Sequence, residues 1–323
     1  METLSEFDSQ FGTDDQCRAF LAKMRWRDGV RCPRCGSDKP FALKARPYHW
    51  VCKSGKETVD KQTGEVAVCH KRNGYRFSVI TRTIFQDTKI PLNLWFKVGY
   101  LMLTAKKGIS ALQIHRVMFG EDSGHDYHTS WFMCMRWRAA MAGDMYQPLK
   151  GIVEADETYV GGKDRNRHWN KKSAQRRAAI GELPIGKRYG YGKVGVIGAI
   201  ERKGNVVARV IGSQDAPTLA GFVRNVVSDK VSLVATDDNQ DYGYIDRNIR
   251  HESVKHSAGE YVRGEVHTNS IESFWSLLKR GVVGSYHNVS KKYLPFYLNE
   301  FSFRFNNRKN PAMFADLITT CAQ

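Results

Sequence analysis

The sequence predicts an α/β protein whose sheet-forming part follows a small cysteine-bearing region and a helical middle, and three observations carry that prediction. Residues 151–235 hold three β-prone runs, a helical stretch and a fourth apolar run, and a further helix follows, giving the order strand, strand, strand, helix, strand, helix. Between Pro91 and Ala142 apolar side chains recur at spacings of three and four. Cys32, Cys35, Cys52 and Cys69 cluster in the first quarter of the chain. The expected division is a cysteine-bearing region at 1–85, a helical domain at 86–148 and an α/β domain at 149–323.

Composition narrows the class. The chain has 323 residues, room for two or three domains, and 50 Lys and Arg against 33 Asp and Glu give a net charge of +17. Hydrophobic residues make up 41%, with 7 Trp, 14 Tyr and 16 Phe, so most of the chain has material for packed cores and is not intrinsically disordered. No run approaches the roughly 18 apolar residues of a membrane helix. The opening METLSEFDSQ lacks the basic and apolar segments of a secretory signal, so a soluble, intracellular protein is expected. A pI near 9.6 predicts attraction to a polyanion, with nucleic acid the leading partner and a merely basic enzyme the alternative.

Seven cysteines, an odd number, argue against a disulfide framework. Cys32-Pro33-Arg34-Cys35-Gly36 is a Cys-x-x-Cys knuckle, in which glycine lets backbone amides approach two thiolates on one tetrahedral ion. Cys52 and Cys69 complete a four-sulfur zinc site, with His70 as a substitute for Cys69. A redox role for the first pair lacks the flanking βαβ pattern. Residues 53–68 read as a polar loop between the second pair of ligands, and the runs 48–51 and 75–80 as strands of a zinc ribbon of about three strands. So small a domain needs its metal to fold.

In the helical middle, Leu92, Leu94, Trp95, Val98, Leu101 and Met102 mark a first helix, and Ser110–Phe119 a second. A third begins near Thr129 and carries Trp131, Phe132, Met135 and Trp137 as packing residues, leaving Arg136 and Arg138 for phosphates. Three helices in this order resemble a helix-turn-helix unit, with a turn longer than usual; a linker bundle without base contacts is the alternative.

The α/β region carries the chemistry. Residues 151–160 read as a strand containing Glu154, Asp156 and Glu157, ended by Gly161-Gly162, and an acid inside a strand needs a reason. The runs 193–200 and 205–211 form a hairpin about Glu201-Arg202-Lys203-Gly204, and 216–227 has helical spacing. The apolar strand 231–235 then delivers Asp237 and Asp238 at its end. A last helix begins at Thr268, a good N-cap. Asn269, Glu272, Ser276 and Lys279 share one face of it, and Ile271, Phe274, Trp275 and Leu278 the other. Asp156, Asp237 and Glu272 are therefore a candidate Mg²⁺ site for phosphoryl transfer, where hard oxygen donors hold two ions about 4 Å apart.

These residues, together with CPRCG, RFSVITRTIF, VEADETYVGGK, ATDD, HTNSIESFWSLLKRG and LNEFSFRFNNR, resemble bacterial insertion-sequence transposases of the DDE type that carry an N-terminal zinc ribbon. The resemblance spans nearly the whole chain. It implies a ribonuclease-H-like mixed sheet with flanking helices, related in fold to retroviral integrases, that cuts DNA at element ends and joins them to target DNA. Asp156 and Asp237 match the family's first two metal-binding acids, and Glu272, 35 residues after Asp237, fits the usual interval to the third. Some relatives are described with Asn there, so Asn269 stays open beside the favoured Glu272, and Asp238 is a weaker rival of Asp237. The implied cofactors are two Mg²⁺ or Mn²⁺ ions per active site and one structural Zn²⁺.

Lys279, seven residues after Glu272, and Arg280 match DNA-contacting positions. The segment 163–188, with Lys171, Lys172, Arg176 and Arg177, reads as a basic arm that orders along DNA. The aromatic stretch 293–305 reads as core, with Asn306, Asn307 and Arg308 exposed for backbone contacts. The implied partner is double-stranded DNA, both terminal inverted repeats and target, bound by a homo-oligomer of at least two chains in the cytoplasm, associated with the nucleoid. Two rivals stand beside this reading: a domesticated, non-cutting DNA-binding regulator, and a metal-dependent nuclease that never joins ends.

Overall fold

The computed structural model describes residues 3–59, 64, 66–120, 124–142, 147–161, 193–245, 248–255 and 262–321. Its contacts form two units: Met1–Ala105 with Ala111–Gly143 and Lys309–Gln323, and Lys106–Ser110 with Asp144–Arg308. No helix among the described residues is long and apolar enough to cross a membrane.

The first unit opens with two helices that the reading of the sequence did not assign, α1 (Leu4–Phe11) and α2 (Asp14–Arg25). Each starts at a capping box: Thr3 exchanges side-chain and backbone bonds with Glu6, and Thr13 does the same with Gln16. The strands β1 (Phe41–Ala42), β2 (His49–Cys52), β3 (Glu57–Val59), β4 (Val66–Val68) and β5 (Tyr75–Ser78) follow. β1, β2 and β5 form the expected three-stranded antiparallel sheet. The segment expected as a plain loop instead pairs β3 with β4 in an antiparallel hairpin.

Three helices come next: α3 (Leu92–Thr104), α4 (Ala111–Met118) and α5 (Tyr127–Ala140). Trp137 packs into α3, donating its indole N–H to the Trp95 carbonyl at 3.1 Å. Gly99 makes this approach possible, because a Cβ there would lie 2.7 Å from the Trp137 ring. The last helix of the chain, Met313–Cys321, belongs to this unit. Its Phe314 lies with ring centroids 5.1 Å from Phe7, 5.5 Å from Phe11 and 5.5 Å from Phe96.

The second unit contains β6 (Leu149–Val160), β7 (Val194–Glu201), β8 (Val206–Ile211), α6 (Ala216–Val226), β9 (Val227–Thr236), β10 (His251–Ser253), α7 (Asn269–Gly281) and α8 (Leu294–Asn306); Met313–Cys321 is α9. The sheet order is β10-β9-β6-β7-β8, with β6, β7 and β8 antiparallel and β9 and β10 parallel to β6 and to each other. This is the ribonuclease-H-like arrangement. On one face Val153, Ala155, Ile197 and Ala199 pack under Leu219, Phe222, Val223 and Val226 of α6. On the other, Val160, Val196 and Ile200 pack under Ile271, Phe274, Trp275 and Leu278 of α7 and Leu294, Leu298 and Phe301 of α8. Burial of both faces explains why β7 reads as a near-continuous apolar run, and it makes the acids of β6, a strand covered in the same way, stand out. β10, three residues long, was not anticipated.

Two expectations about the chain's last third are corrected here. Asn306 is a structural residue: its amide accepts from the Val206 N–H at 2.7 Å and donates to the Val206 carbonyl at 3.0 Å, supplying an edge strand with the partner it lacks. Asn307 is buried and donates to the Phe303 carbonyl, closing α8. Of that trio Arg308 remains exposed, its guanidinium lying 4.1 Å from the Phe305 ring centroid.

Candidate active site

The sulfur cluster of the first unit forms where the knuckle meets Cys52 at the end of β2 and Cys69 just past β4. Sγ atoms of Cys32, Cys35, Cys52 and Cys69 all lie within 4.8 Å of one another, with Cys35 to Cys52 at 3.5 Å and Cys32 to Cys69 at 3.9 Å. A tetrahedral Zn²⁺ with about 2.3 Å bonds spaces its sulfurs by about 3.8 Å, so the four thiols fit that ion. Burial pushes the Cys32 thiol up to about 11. At Cys35 burial acts in the same direction but is outweighed by the Ser54 hydroxyl, the Ser37 backbone and the neighbouring thiols, which bring it down to about 6. Trp26, Trp50, Tyr75 and Phe77 close the cluster on its flanks.

The acids of the second unit gather within β6, where the neighbouring β9 ends. Parallel pairing matches Glu154 to Ala235, so two residues further on Asp156 stands beside Asp237, just past the end of β9. Carboxylate oxygens of Asp156, Glu157 and Asp237 lie within 4.8 Å of one another. Burial, then the charge of Asp237, pushes Asp156 up to about 7. Burial and the charges of Asp237 and Asp156 push Glu157 up to about 8. Three half-buried acids that mutually oppose ionisation are a set that a divalent cation would compensate.

Neighbouring groups hold this arrangement. Trp275 of α7 donates its indole N–H to Asp156 Oδ2 at 3.1 Å, and Gly198 of β7 leaves the space that its ring fills. The Asn239 backbone N–H donates to Asp237 Oδ1 at 3.1 Å, and its side-chain amide donates to Glu157 Oε1 at 3.4 Å. The Thr236 hydroxyl donates to the Asp237 carbonyl at 2.8 Å, and the Tyr242 ring is fully buried beside Glu157.

The structure treats the remaining candidates differently. α7 is amphipathic as read, with Ile271, Phe274, Trp275 and Leu278 buried and Asn269, Glu272, Ser276 and Lys279 exposed. Glu272 lies outside the group of three acids, although its charge acts on Asp156; its Oε1 accepts from the Thr268 hydroxyl at 2.9 Å. Asp238 is exposed and outside the group. Arg280 is exposed, with its Nε on the Ser276 carbonyl.

Arg138 is corrected: at 1% exposure it is part of the helical core, because the third helix turns that side inward. Arg136 donates to the carbonyls of Ile84 and Gln86 at 2.6 and 3.0 Å and stacks on Phe132, which is itself exposed. Lys171, Lys172, Arg176 and Arg177 lie outside the described residues.

Two acids of β6 were given no role in the sequence. Glu157 joins Asp156 and Asp237, and the signal was its place next to Asp156 in a strand whose two faces are both covered. Glu154 is 0% exposed and reaches the start of α7. Thr268, expected to cap that helix, makes no side-chain cap bond.

A family model described as ISXO2-like transposase domain matches residues 148–306, and one described as transposase zinc-ribbon domain matches residues 12–57. The chain is 28% identical over 303 residues to "Uncharacterized protein in transposable element ISH50" of Halobacterium salinarum, covering 91% of each. A weak structural likeness, with TM-score 0.29, 13% identity and 65% of each chain covered, is to a simian T-cell lymphotropic virus intasome in complex with PP2A regulatory subunit B56 gamma. With a transposase-domain match and a ribbon match that together take in most of its length, the chain belongs to the insertion-sequence transposases that carry an N-terminal zinc ribbon.

Proposed function

We propose that this transposase cuts DNA at the ends of its element and joins the freed 3′ ends to target DNA, using Asp156, Asp237 and a third ligand from α7, Glu272 or Asn269. The observation that carries the proposal is the convergence of Asp156, Glu157 and Asp237 within 4.8 Å beside a helix whose exposed face bears Asn269, Glu272 and Lys279. The donor set is all oxygen, which suits Mg²⁺ or Mn²⁺ and not a second Zn²⁺. Two such ions, when bound, polarise the reacting phosphate and lower the pKa of the attacking water or hydroxyl.

The chain's own groups do the rest. Asp156 and Asp237 would hold the ions, and Trp275 fixes the Asp156 carboxylate through its Oδ2. Lys279 and Arg280, exposed on the last turns of α7, hold DNA phosphates. In the first step water attacks phosphorus in line, the P–O3′ bond breaks, and a 3′-hydroxyl and a 5′-phosphate are left. In the second that 3′-hydroxyl attacks a target phosphorus, and the target's own P–O3′ bond breaks. No covalent protein intermediate is involved. The basic segment around Lys171, Lys172, Arg176 and Arg177 adds charge for DNA, and pairing two element ends calls for at least a dimer.

The test is transposition in cells of a marked element with its native flanking DNA, comparing wild type with D156N, D237N, E272Q and N269A at matched protein levels. Movement by wild type and complete loss in D156N and D237N is the expected result, and whichever of E272Q and N269A also abolishes it identifies the third ligand. Binding of the flanks without movement favours the non-cutting regulator. Nicked ends that are never joined favour the nuclease.

A further inference from the structure

Glu154 is fully buried on β6, two residues before Asp156 and on the same face of the strand. Its Oε2 accepts from the backbone N–H groups of Ser270 and Ile271 at 2.7 and 3.2 Å, and its Oε1 from the Ser270 hydroxyl at 3.0 Å. Arg202 Nε lies 3.0 Å from Oε1 and His267 Nδ1 3.3 Å. Arg202 also reaches the His267 carbonyl at 3.5 Å, so the basic partners are joined to each other.

These bonds do a specific job. The first N–H groups of a helix have no partner within it and are ordinarily met by the side chain of the preceding residue. Thr268 holds that position in α7, yet its hydroxyl is turned to Glu272. The cap comes instead from Glu154, 116 residues earlier, whose negative charge also suits the positive end of the helix dipole.

A buried ion cluster adds little net stability over apolar packing, and its best-attested use is to hold one register against others. The apolar face of α7 is keyed to the sheet at Trp275, whose ring fills the space that Gly198 leaves, so the freedom left for Glu154 to restrain is a small rotation of the first turn. About 100° of turn per residue means that a small rotation swings residues 269 and 272 away from Asp156. Two bonds to consecutive N–H groups at positions 270 and 271 remove that freedom at the end where these side chains sit. The Trp275 bond to Asp156 is a second tie further along the helix.

We propose that Glu154, held by Arg202, is a positioning residue that sets the rotation of α7 and so presents its metal-binding side chain to the site of Asp156 and Asp237. The inference rests on the transposase reading of that site.

The test is a double-mutant cycle on Mn²⁺ affinity, measured by calorimetry on the folded, zinc-loaded full-length chain. E154Q keeps the size of the side chain and removes its charge. The expected loss in affinity is about tenfold in an otherwise wild-type chain, the lower end of what supporting partners of metal ligands show. In the background that lacks the true α7 ligand, E272Q or N269A, the same change is expected to cost less than about twofold, because the residue it positions is already gone.

Unchanged affinity in E154Q, or a full tenfold loss in both backgrounds, overturns the proposal. If E154Q does not fold, S270A deletes the hydroxyl bond alone and is put through the same cycle, with an expected loss of about threefold; additivity again overturns the inference. Wild type that binds no Mn²⁺ overturns the transposase reading and this inference with it. Wild-type binding with no effect of either variant overturns the inference alone.

Discussion

Asp156 and Glu157 show what the site asks of single residues. Their carboxyls titrate near 3.8 and 4.5 in an unfolded chain but are pushed up to about 7 and about 8 in the folded one, first by burial and then by neighbouring charge. Between about pH 4 and pH 8 the unfolded chain therefore carries fewer protons than the folded chain, and stability falls as pH rises through that window. A divalent cation that binds the folded site alone restores it. The melting temperature in Mg²⁺-free buffer is expected to fall from pH 5 to pH 8 and to recover on adding Mg²⁺, while D156N, which removes one of the repelling charges, flattens the fall. A pH 8 melting temperature indifferent to Mg²⁺ would count against the site. In the sequence Asp156 and Asp237 were legible because each sits on or beside an apolar strand. Glu157 was not, since strand alternation places neighbours on opposite faces, and only the folded sheet brings its carboxylate within 4.8 Å of those of Asp156 and Asp237.

At the scale of elements, α7 was the most readable part of the chain, its buried and exposed faces following directly from 3.6-residue spacing. α1 and α2 were equally readable in principle. Thr3 with Glu6 and Thr13 with Gln16 are capping boxes written in the sequence, and both are formed. What the spacing of α7 does not contain is the surface it meets. Gly198 on β7 admits the Trp275 ring, and a Cβ there would stand 2.6 Å from it and 3.2 Å from Ile271. G198A is expected to cost about 1–3 kcal/mol in urea unfolding and to lower catalysis further, through the displaced bond to Asp156. A variant as stable and as active as wild type would show that the indole is free to shift.

At the scale of the whole molecule, the chain returns at its end to where it began. α9 brings Phe314 against Phe7, Phe11 and Phe96, so the first unit is completed by the last residues of the sequence. F314A is expected to destabilise that unit by about 3–5 kcal/mol. Hydrogen exchange locates the effect: protection is expected to drop in α1, α2 and α3 while β7 and β8 keep theirs. Equal loss in β7 and β8 would mean that the two units unfold as one.

The sequence by itself determined what depends on nearby residues: the sulfur knuckle, the periods of strands and helices, the capping boxes that start α1 and α2, and the acids on or beside strands. These follow from local sterics and from which side chains leave water. Only the tertiary structure decided which groups meet across long separations. It took the capping of α7 from Thr268 and gave it to Glu154, buried Arg138, used Asn306 to bind the β8 edge, and brought Glu157 to Asp156 and Asp237. Each of those outcomes follows from satisfying a buried polar or charged group, and the partner that does so is chosen by the packing of whole elements, which no short stretch of sequence contains.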